Sequence, residues 1–277
     1  MTAPVQAPAP AQAPPSAQAP ESAPSPVTSN LRKPDWGLDA PSFQLFARYG
    51  GVIAVVVGRM LSEHGVMSSV PWMVSVGSTL MWMGTSFFVV SAVSYFGSKV
   101  GKLLLRNGIL ESIDWRGDEQ VLDVGCGHGL LLIGAAKKLK IGRAVGVDVW
   151  SQRDQKNNSA QAAKENACIE GVANRIEIQD ADARKLPFAD GSFDVVLSSF
   201  AIHKISGSSE RETAIREIAR VLKPAGRLAI ADIRHTRAYQ KVLQGLGWNE
   251  THLSRRNFLI FVTPTRVLRA TKPSLHA

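Results

Sequence analysis

Cysteine is nearly absent from the chain: Cys126 and Cys168 are the only two in 277 residues. Two thiols are too few for a disulfide framework or a cysteine-rich metal cluster, so a reducing compartment and no metal site are expected. Charge is missing from two stretches. Residues 1–26 hold Glu21 as their sole charged side chain together with eight of the fifteen prolines. So little bulky apolar surface cannot offset the entropy of ordering, and residues 1–30 read as a disordered Ala/Pro-rich tail. The tail lacks the basic and apolar regions of a signal peptide. The second gap runs from Val70 to Ser98, without a single Asp, Glu, Lys, Arg or His. Basic clusters with interleaved aromatics and finger-like Cys/His spacings are missing too. The net charge of +9 therefore does not point to nucleic acid as a partner, and attraction to an anionic membrane surface is expected instead.

A bilayer core needs about 20 apolar helical residues, and the uncharged stretch exceeds that, with Trp72 and Tyr95 near its ends where amphipathic rings favour headgroups. The preceding run, Tyr49 to Gly58, is shorter and bounded by Arg48 and Arg59; if both arginines snorkel outward, Phe43 to Leu61 can cross. The expectation is a membrane hairpin over 43–97, with helices at about 43–62 and 70–97, joined to the rest by an amphipathic connecting helix over 98–114. Arg32, Lys33 and Arg48 precede the hairpin and Lys99, Lys102 and Arg106 follow it, so the positive-inside rule places both ends in the cytoplasm. The stretch "GSKVGK" at 97–102 resembles a phosphate loop superficially, but it is one residue short, runs into Leu103 and follows a helix rather than a strand.

From residue 115 to 277 the pattern alternates. Short β-branched runs at 120–124, 144–149, 175–179, 193–198 and 227–232 are separated by helical periodicity at 129–139, near 154–170, at 211–222 and at 235–246. That rhythm predicts an α/β domain with a doubly wound, mostly parallel, Rossmann-like sheet. Ligands in such sheets bind beyond the carboxyl ends of the strands at the topological switch point. The first strand ends there in "VLDVGCGHG" (121–129).

Gly125, Gly127 and Gly129 are spaced G-x-G-x-G, one place short of a dinucleotide fingerprint. Asp123 just ahead of the loop would repel a pyrophosphate but suits a cationic amino group or sulfonium. Asp148, ending the second strand, can accept hydrogen bonds from ribose hydroxyls. Asp182, after the third strand, can accept one from an exocyclic adenine amine, with Asp180 as the alternative. An adenine nucleoside with a cationic amino-acid tail describes S-adenosyl-L-methionine.

At this point the residues resemble the class I S-adenosylmethionine-dependent methyltransferases of small-molecule type. The resemblance covers about 115–273 and rests on ordered motifs: "VLDVGCGHG", "GVDVW", "DARKLPFADGSFDVVLSS", "EIARVLKPAGRLAIAD" and a closing "FLIFVTPTRVLRATKP" that looks like an antiparallel terminal hairpin. It implies a seven-stranded sheet. It also implies Asp123 and the loop of Gly125, Cys126, Gly127 and Gly129 around the methionine moiety, Asp148 on the ribose, and Asp182 with the Ala183 backbone at the adenine. Val149 and Ser198 complete the candidate cofactor contacts. Trp150 either covers the adenine edge or packs on the next helix.

His203, after the fourth strand, is the candidate catalytic base, because an imidazole titrating near neutrality can take a proton from a substrate hydroxyl or amine. Arg234, His235 and Tyr239 are candidates for the acceptor pocket. Methyl transfer is a displacement at an already activated carbon, so positioning and exclusion of water dominate and no acid–base pair is required. The expected function is a membrane-anchored methyltransferase acting on a small or lipid-like acceptor, located at the inner or plasma membrane. The alternative is a tethered S-adenosylmethionine-binding module without catalysis.

Overall fold

The computed structural model describes residues 33–37, 41–151, 157–257 and 264–274. The expected disordered tail at 1–30 lies outside the described residues, as does the 258–263 part of the closing motif.

Two long helices come first, α1 (Pro41–Met67) and α2 (Pro71–Phe96). Both are long and apolar enough to cross a membrane by length and composition. The first is longer than the expected 43–62, because no proline stands between Leu61 and the turn at Ser68 and Ser69. The two helices touch through small residues. A Cβ on Gly58 would stand 2.5 Å from the Gly77 carbonyl oxygen, and one on Gly51 would stand 2.8 Å from that of Gly84. One step further along, the Ser91 hydroxyl donates to the Gln44 carbonyl at 3.3 Å. Gln44, Gly51, Gly58 and Gly65, at the seven-residue intervals of a left-handed coil, thus face Ser91, Gly84, Gly77 and the start of α2 at Met73 and Val74. Only residues without bulk permit backbones this close.

Helix α2 does not stop at the expected boundary. It runs through one π-helical turn, Gly97–Gly101, into α3 (Lys102–Leu110). The extra residue of a π turn rotates everything after it, and Lys102 is turned inward to 5% exposure. From the sequence Lys102 counts only as a charge flanking the second helix; its burial gives it a structural place that the flanking charge did not indicate.

The domain has β1 (Gln120–Val124), α4 (Leu130–Ala136), β2 (Arg143–Asp148), α5 (Ala160–Ile169), β3 (Ile176–Asp180), β4 (Phe193–Ser199), α6 (Ser208–Val221), β5 (Leu222–Asp232), α7 (Thr236–Gly245), β6 (Thr251–Leu253) and β7 (Arg266–Thr271). The sheet order is β3-β2-β1-β4-β5-β7-β6. The first five strands are parallel, and β7 runs antiparallel to both β5 and β6. This is the expected doubly wound, seven-stranded, mostly parallel sheet. The closing hairpin is made by Arg266–Thr271 with Thr251–Leu253 rather than within the last motif alone. Each face of the sheet has its own core. Leu122, Val196, Ile218 and Ile230 pack on one side, and Leu132, Ile133, Leu197 and Ile109 of α3 on the other. The order in which strands are added reverses between β1 and β4, which opens a crevice at their carboxyl ends.

Candidate functional site

A cleft of about 570 Å3 occupies that crevice. Its floor is the glycine loop, whose three glycines all take positive φ: 76° at Gly125, 52° at Gly127 and 83° at Gly129. A side chain is excluded at Gly125 on a second ground, since its Cβ would lie 2.2 Å from Cβ of Ala201 in the facing loop. The loop is pinned at its start, where the Gly125 and Cys126 amides donate to the Val147 carbonyl at 2.8 and 3.0 Å.

Three carboxylates converge on the cleft. Asp123 is buried to 1% exposure. Its Oδ2 accepts the Leu132 amide at 2.8 Å and so caps the first turn of α4, while its Oδ1 is buried with no hydrogen-bond partner. Burial, with the nearby Asp148 charge adding to it, pushes the Asp123 carboxyl up to about 7. Asp148 accepts the Gly127 amide at 2.8 Å on Oδ2 and the Trp150 amide at 2.7 Å on Oδ1, which fixes the carboxylate at the strand end. Asp182 is held by the Arg184 guanidinium, with Nε 3.0 Å from each oxygen, and Arg184 in turn pairs with Glu210 at 2.7 Å. The guanidinium holds the Asp182 carboxyl below its usual range.

Val149, Cys126, Gly127 and Ala183 also line the cleft. Cys126 lies against Gly146, where any Cβ would meet its sulfur at 2.9 Å, and burial pushes its thiol well up; a thiolate nucleophile does not form there. Trp150 packs toward one of the two cores, and its indole N–H donates to Asp180 at 2.5 Å. Asp180 therefore serves Trp150, and Asp182 is the carboxylate in the cleft.

Two candidates sit elsewhere. Ser198 is fully buried and donates to the Val124 carbonyl at 2.8 Å within the sheet; the next residue, Ser199, reaches the cleft. His203 follows Ile202 in a short 3-10 turn, and while Ile202 and Lys204 line the cleft, the His203 ring turns toward the end of β5. Its Nδ1 stands 2.5 Å from Asp232 Oδ1 in an approach too bent for a linear hydrogen bond, and its amide donates to Oδ2 of the same residue at 2.9 Å. The Tyr239 hydroxyl donates to Asp232 as well, at 3.3 Å. His203, Asp232 and Tyr239 thus form a polar cluster beside the cleft. His235 begins α7 in a left-handed conformation, and burial with the Arg211 charge lowers its pKa.

Trp36, Lys102, Phe200, Lys204 and Ile205 also line the cleft. None was singled out from the sequence as a cofactor contact, because no periodicity or motif marks a residue that reaches a site from a distant segment.

With the glycine cradle and its carboxylates in place, comparison with known proteins points to one family. Residues 122–230 match the methyltransferase-domain family. The matched region begins at β1, beyond the helical pair. Over 125 residues the chain is 39% identical to the methyltransferase GfsG of Streptomyces halstedii, covering 45% of this chain and 41% of that one. Over 171 residues it is 30% identical to the sterol 4-C-methyltransferase strm-1 of Caenorhabditis elegans, covering 60% and 48%. Among solved structures, phosphoethanolamine N-methyltransferase 2 of Haemonchus contortus in complex with S-adenosyl-L-methionine shares the fold. The TM-score is 0.51 at 15% identity, over 62% of this chain and 53% of that one. The chain spans about half the length, or less, of these curated relatives.

Proposed function

We propose that the chain is a membrane-anchored methyltransferase that uses S-adenosyl-L-methionine and acts on a small, lipophilic acceptor. The carrying observation is the glycine cradle closed by Asp123, whose buried Oδ1 has no partner. A cationic tail fits both features, since it satisfies the orphan oxygen beside a loop that Gly125 and Gly127 line without side chains. The cofactor supplies a methyl group already activated on a sulfonium. The chain's own residues position and exclude. Asp123 draws the cationic tail to the loop, Asp148 receives the ribose hydroxyls, and Asp182 with Ala183 borders the base. Phe200, Ile202 and Ile205 wall the cleft against water.

His203 is the proposed base for an acceptor hydroxyl or amine. With Nδ1 turned to Asp232, Nε2 is the nitrogen that takes the proton, and Asp232 stabilises the resulting imidazolium. A methylation at carbon without proton loss to a side chain would not need it. The lipophilic acceptor is supported by the helical pair, which would confine the domain beside membrane-dissolved substrates, and by the relative described as a sterol methyltransferase. In this reading α1 and α2 cross the inner or plasma membrane and the domain faces the cytoplasm. The rival is a tethered binding module without catalysis, favoured by the turn of His203 away from the cleft.

Calorimetry on the full chain in lipid nanodiscs tests the cofactor. Wild type binds S-adenosyl-L-methionine and Asp148→Ala weakens it by about tenfold or more; no binding by wild type sinks the reading. Incubation of membranes with methyl-labelled cofactor then tests turnover. A labelled lipid product that His203→Ala reduces while cofactor binding persists supports the base, and binding with no labelled product leaves the rival.

A further inference from the structure

Immediately before α1 the chain passes over the glycine loop. Residues 33–37 read Lys-Pro-Asp-Trp-Gly, and three buried side chains from three elements hold their backbone. Asn166 of α5 is 4% exposed; it accepts the Asp35 amide at 2.9 Å and donates from Nδ2 to the Asp35 carbonyl at 2.8 Å. The same Nδ2 donates to the His128 carbonyl at 3.0 Å. His128, inside the glycine loop and 3% exposed, places Nδ1 2.8 Å from the Asp35 carbonyl, so that nitrogen carries the proton. Lys102, the inward-turned residue after the π turn, donates from Nζ to the carbonyls of Trp36 and Gly37, both at 2.8 Å. Asp35 closes the segment on itself by accepting the Gly37 amide at 3.0 Å and lies 3.7 Å from Lys99 Nζ.

A short segment held by Asn166, His128 and Lys102 is more than a surface loop. Through Asn166 and His128 it is bonded to the loop that forms the cleft floor. Through Lys102 it is bonded to the helix that continues from α2. Trp36 and Lys102 themselves line the cleft. Their charges also match a ligand with both signs, because the buried Lys102 ammonium and the buried Asp123 carboxylate face one cavity, as a zwitterionic amino-acid tail requires.

We infer that Lys33–Gly37 is a strap forming the outer wall of the amino-acid end of the cofactor cleft, with Trp36 a cofactor-contact residue and Lys102 the positioning residue that holds the strap shut. The inference rests on the proposed cofactor. Its consequence is that cofactor entry and exit require the strap to lift from a residue anchored at the foot of α2.

The test uses the full chain in nanodiscs and S-adenosyl-L-methionine as the probe, with association and dissociation rates measured by stopped flow and thermal melts confirming that each variant is folded. Trp36→Ala is expected to raise the dissociation rate by about tenfold, more than the association rate, and Trp36→Phe to restore most of it. Lys102→Met should accelerate both rates. In wild type, the Asp35 and Gly37 amides should exchange hydrogen about tenfold more slowly once the probe is bound. Unchanged rates in both variants, or unchanged exchange of those amides in a wild type that binds, overturn the strap. A wild type that does not bind the probe fails at the earlier step and overturns the cofactor reading itself, and the strap with it. Asp182→Asn, at the base end of the cleft and bonded to Arg184 rather than to the glycine loop, should lose affinity while its free-state exchange at Asp35 stays that of wild type.

Discussion

Between α1 and α2 the buried positions are Gln44, Ala47, Gly51, Gly58, Gly65, Gly77, Gly84 and Ser91, all but one of them small, while Phe46, Ile53, Met60, Trp82, Phe88 and Phe96 point outward. In the sheet domain the order is inverted: Leu122, Leu132, Val196, Ile218 and Ile230 are sealed inside, and the outer face of α6 carries Glu212 and Arg216. One chain therefore holds two packing regimes. The domain gains by removing bulky apolar groups from water, about 25 cal/mol per Å2 of apolar surface. The helical pair forgoes that gain and brings backbones together through residues that have almost no side chain, which is favourable only where the surroundings are as apolar as the exposed side chains. In the proposed membrane setting the contrast is the expected one, since small residues meet inside the pair and the bulky apolar side chains face outward.

The largest effect should come from adding bulk to the helical seam. In the domain, cores fail when atoms are removed, and Leu→Ala changes cost about 2–5 kcal/mol. In the seam the sign reverses. Gly58→Leu must place a Cβ 2.5 Å from the Gly77 carbonyl and 2.9 Å from the Met81 amide nitrogen, so the helices have to separate. Spin labels at the exposed Val56 and Trp82 should show a broad distance distribution in the variant against a narrow one in the parent. A narrow distribution at the parental distance would refute the seam.

The difference between the regions also explains what could be read beforehand. Strand and helix positions in the domain came through because water imposes a clear period on residue polarity: β1, β2 and β4 were expected within a residue or two. The glycine loop, Asp123, Asp148 and Asp182 do meet at one cleft, because a tight turn restricts residue type strongly and strand ends in a doubly wound sheet share one crevice. The seam is equally periodic, with glycine at 51, 58 and 65 and at 77 and 84, but apolar runs reflect hydropathy and not size. The orientation of His203 depends on Asp232 at the far end of the next strand, β5, and the choice of Ser199 over Ser198 depends on the pleat at the last residues of β4. The strap was hidden for a different reason. Trp36 and Lys102 lie on opposite sides of the helical pair in the sequence, and their contact depends on one π turn, which no local pattern announces.

A smaller effect sharpens the comparison through pH. Within Val70–Ser98 there is no Asp, Glu, Lys, Arg or His, so α2 contributes no acidic or basic side chain of those types there. The domain carries Asp123, raised from 3.8 to about 7 by burial. In the folded protein this carboxyl keeps a proton that the unfolded chain loses, so its contribution to stability falls as pH rises from about 4 to about 7 and is level above that. Asp123→Asn removes the penalty and still accepts the Leu132 amide. The variant should melt with wild type near pH 4 and about 5 °C above it at pH 8. Over the same interval wild type should gain affinity for a cationic cofactor as the carboxylate ionises, and the variant should not. Parallel melting curves at both pH values would remove the case for a buried, protonated Asp123.

The smallest effect compares one interaction in the two regimes. Arg59 and Glu63 form an i,i+4 pair on α1 at 2.9 Å, and Glu212 and Arg216 form one on α6 at 2.6 Å. Both pairs are about half exposed or more. In water such a pair contributes about 0.3–0.5 kcal/mol, because the solvated ions lose little when separated. Glu212→Gln should therefore shift the domain's unfolding by no more than about 0.5 kcal/mol. Arg59 lies about two turns from the end of α1 at Met67, where a proposed bilayer would hold its guanidinium at or below the headgroups, and an unpaired cation there costs up to about 2.5 kcal/mol, the value reached toward the bilayer centre. Glu63→Gln should cost a larger fraction of that in nanodiscs, read as reduced helix protection by hydrogen exchange around Arg59, and almost nothing in water-exposed detergent micelle edges. Equal small effects for the two pairs in nanodiscs would mean that water, not lipid, surrounds the end of α1.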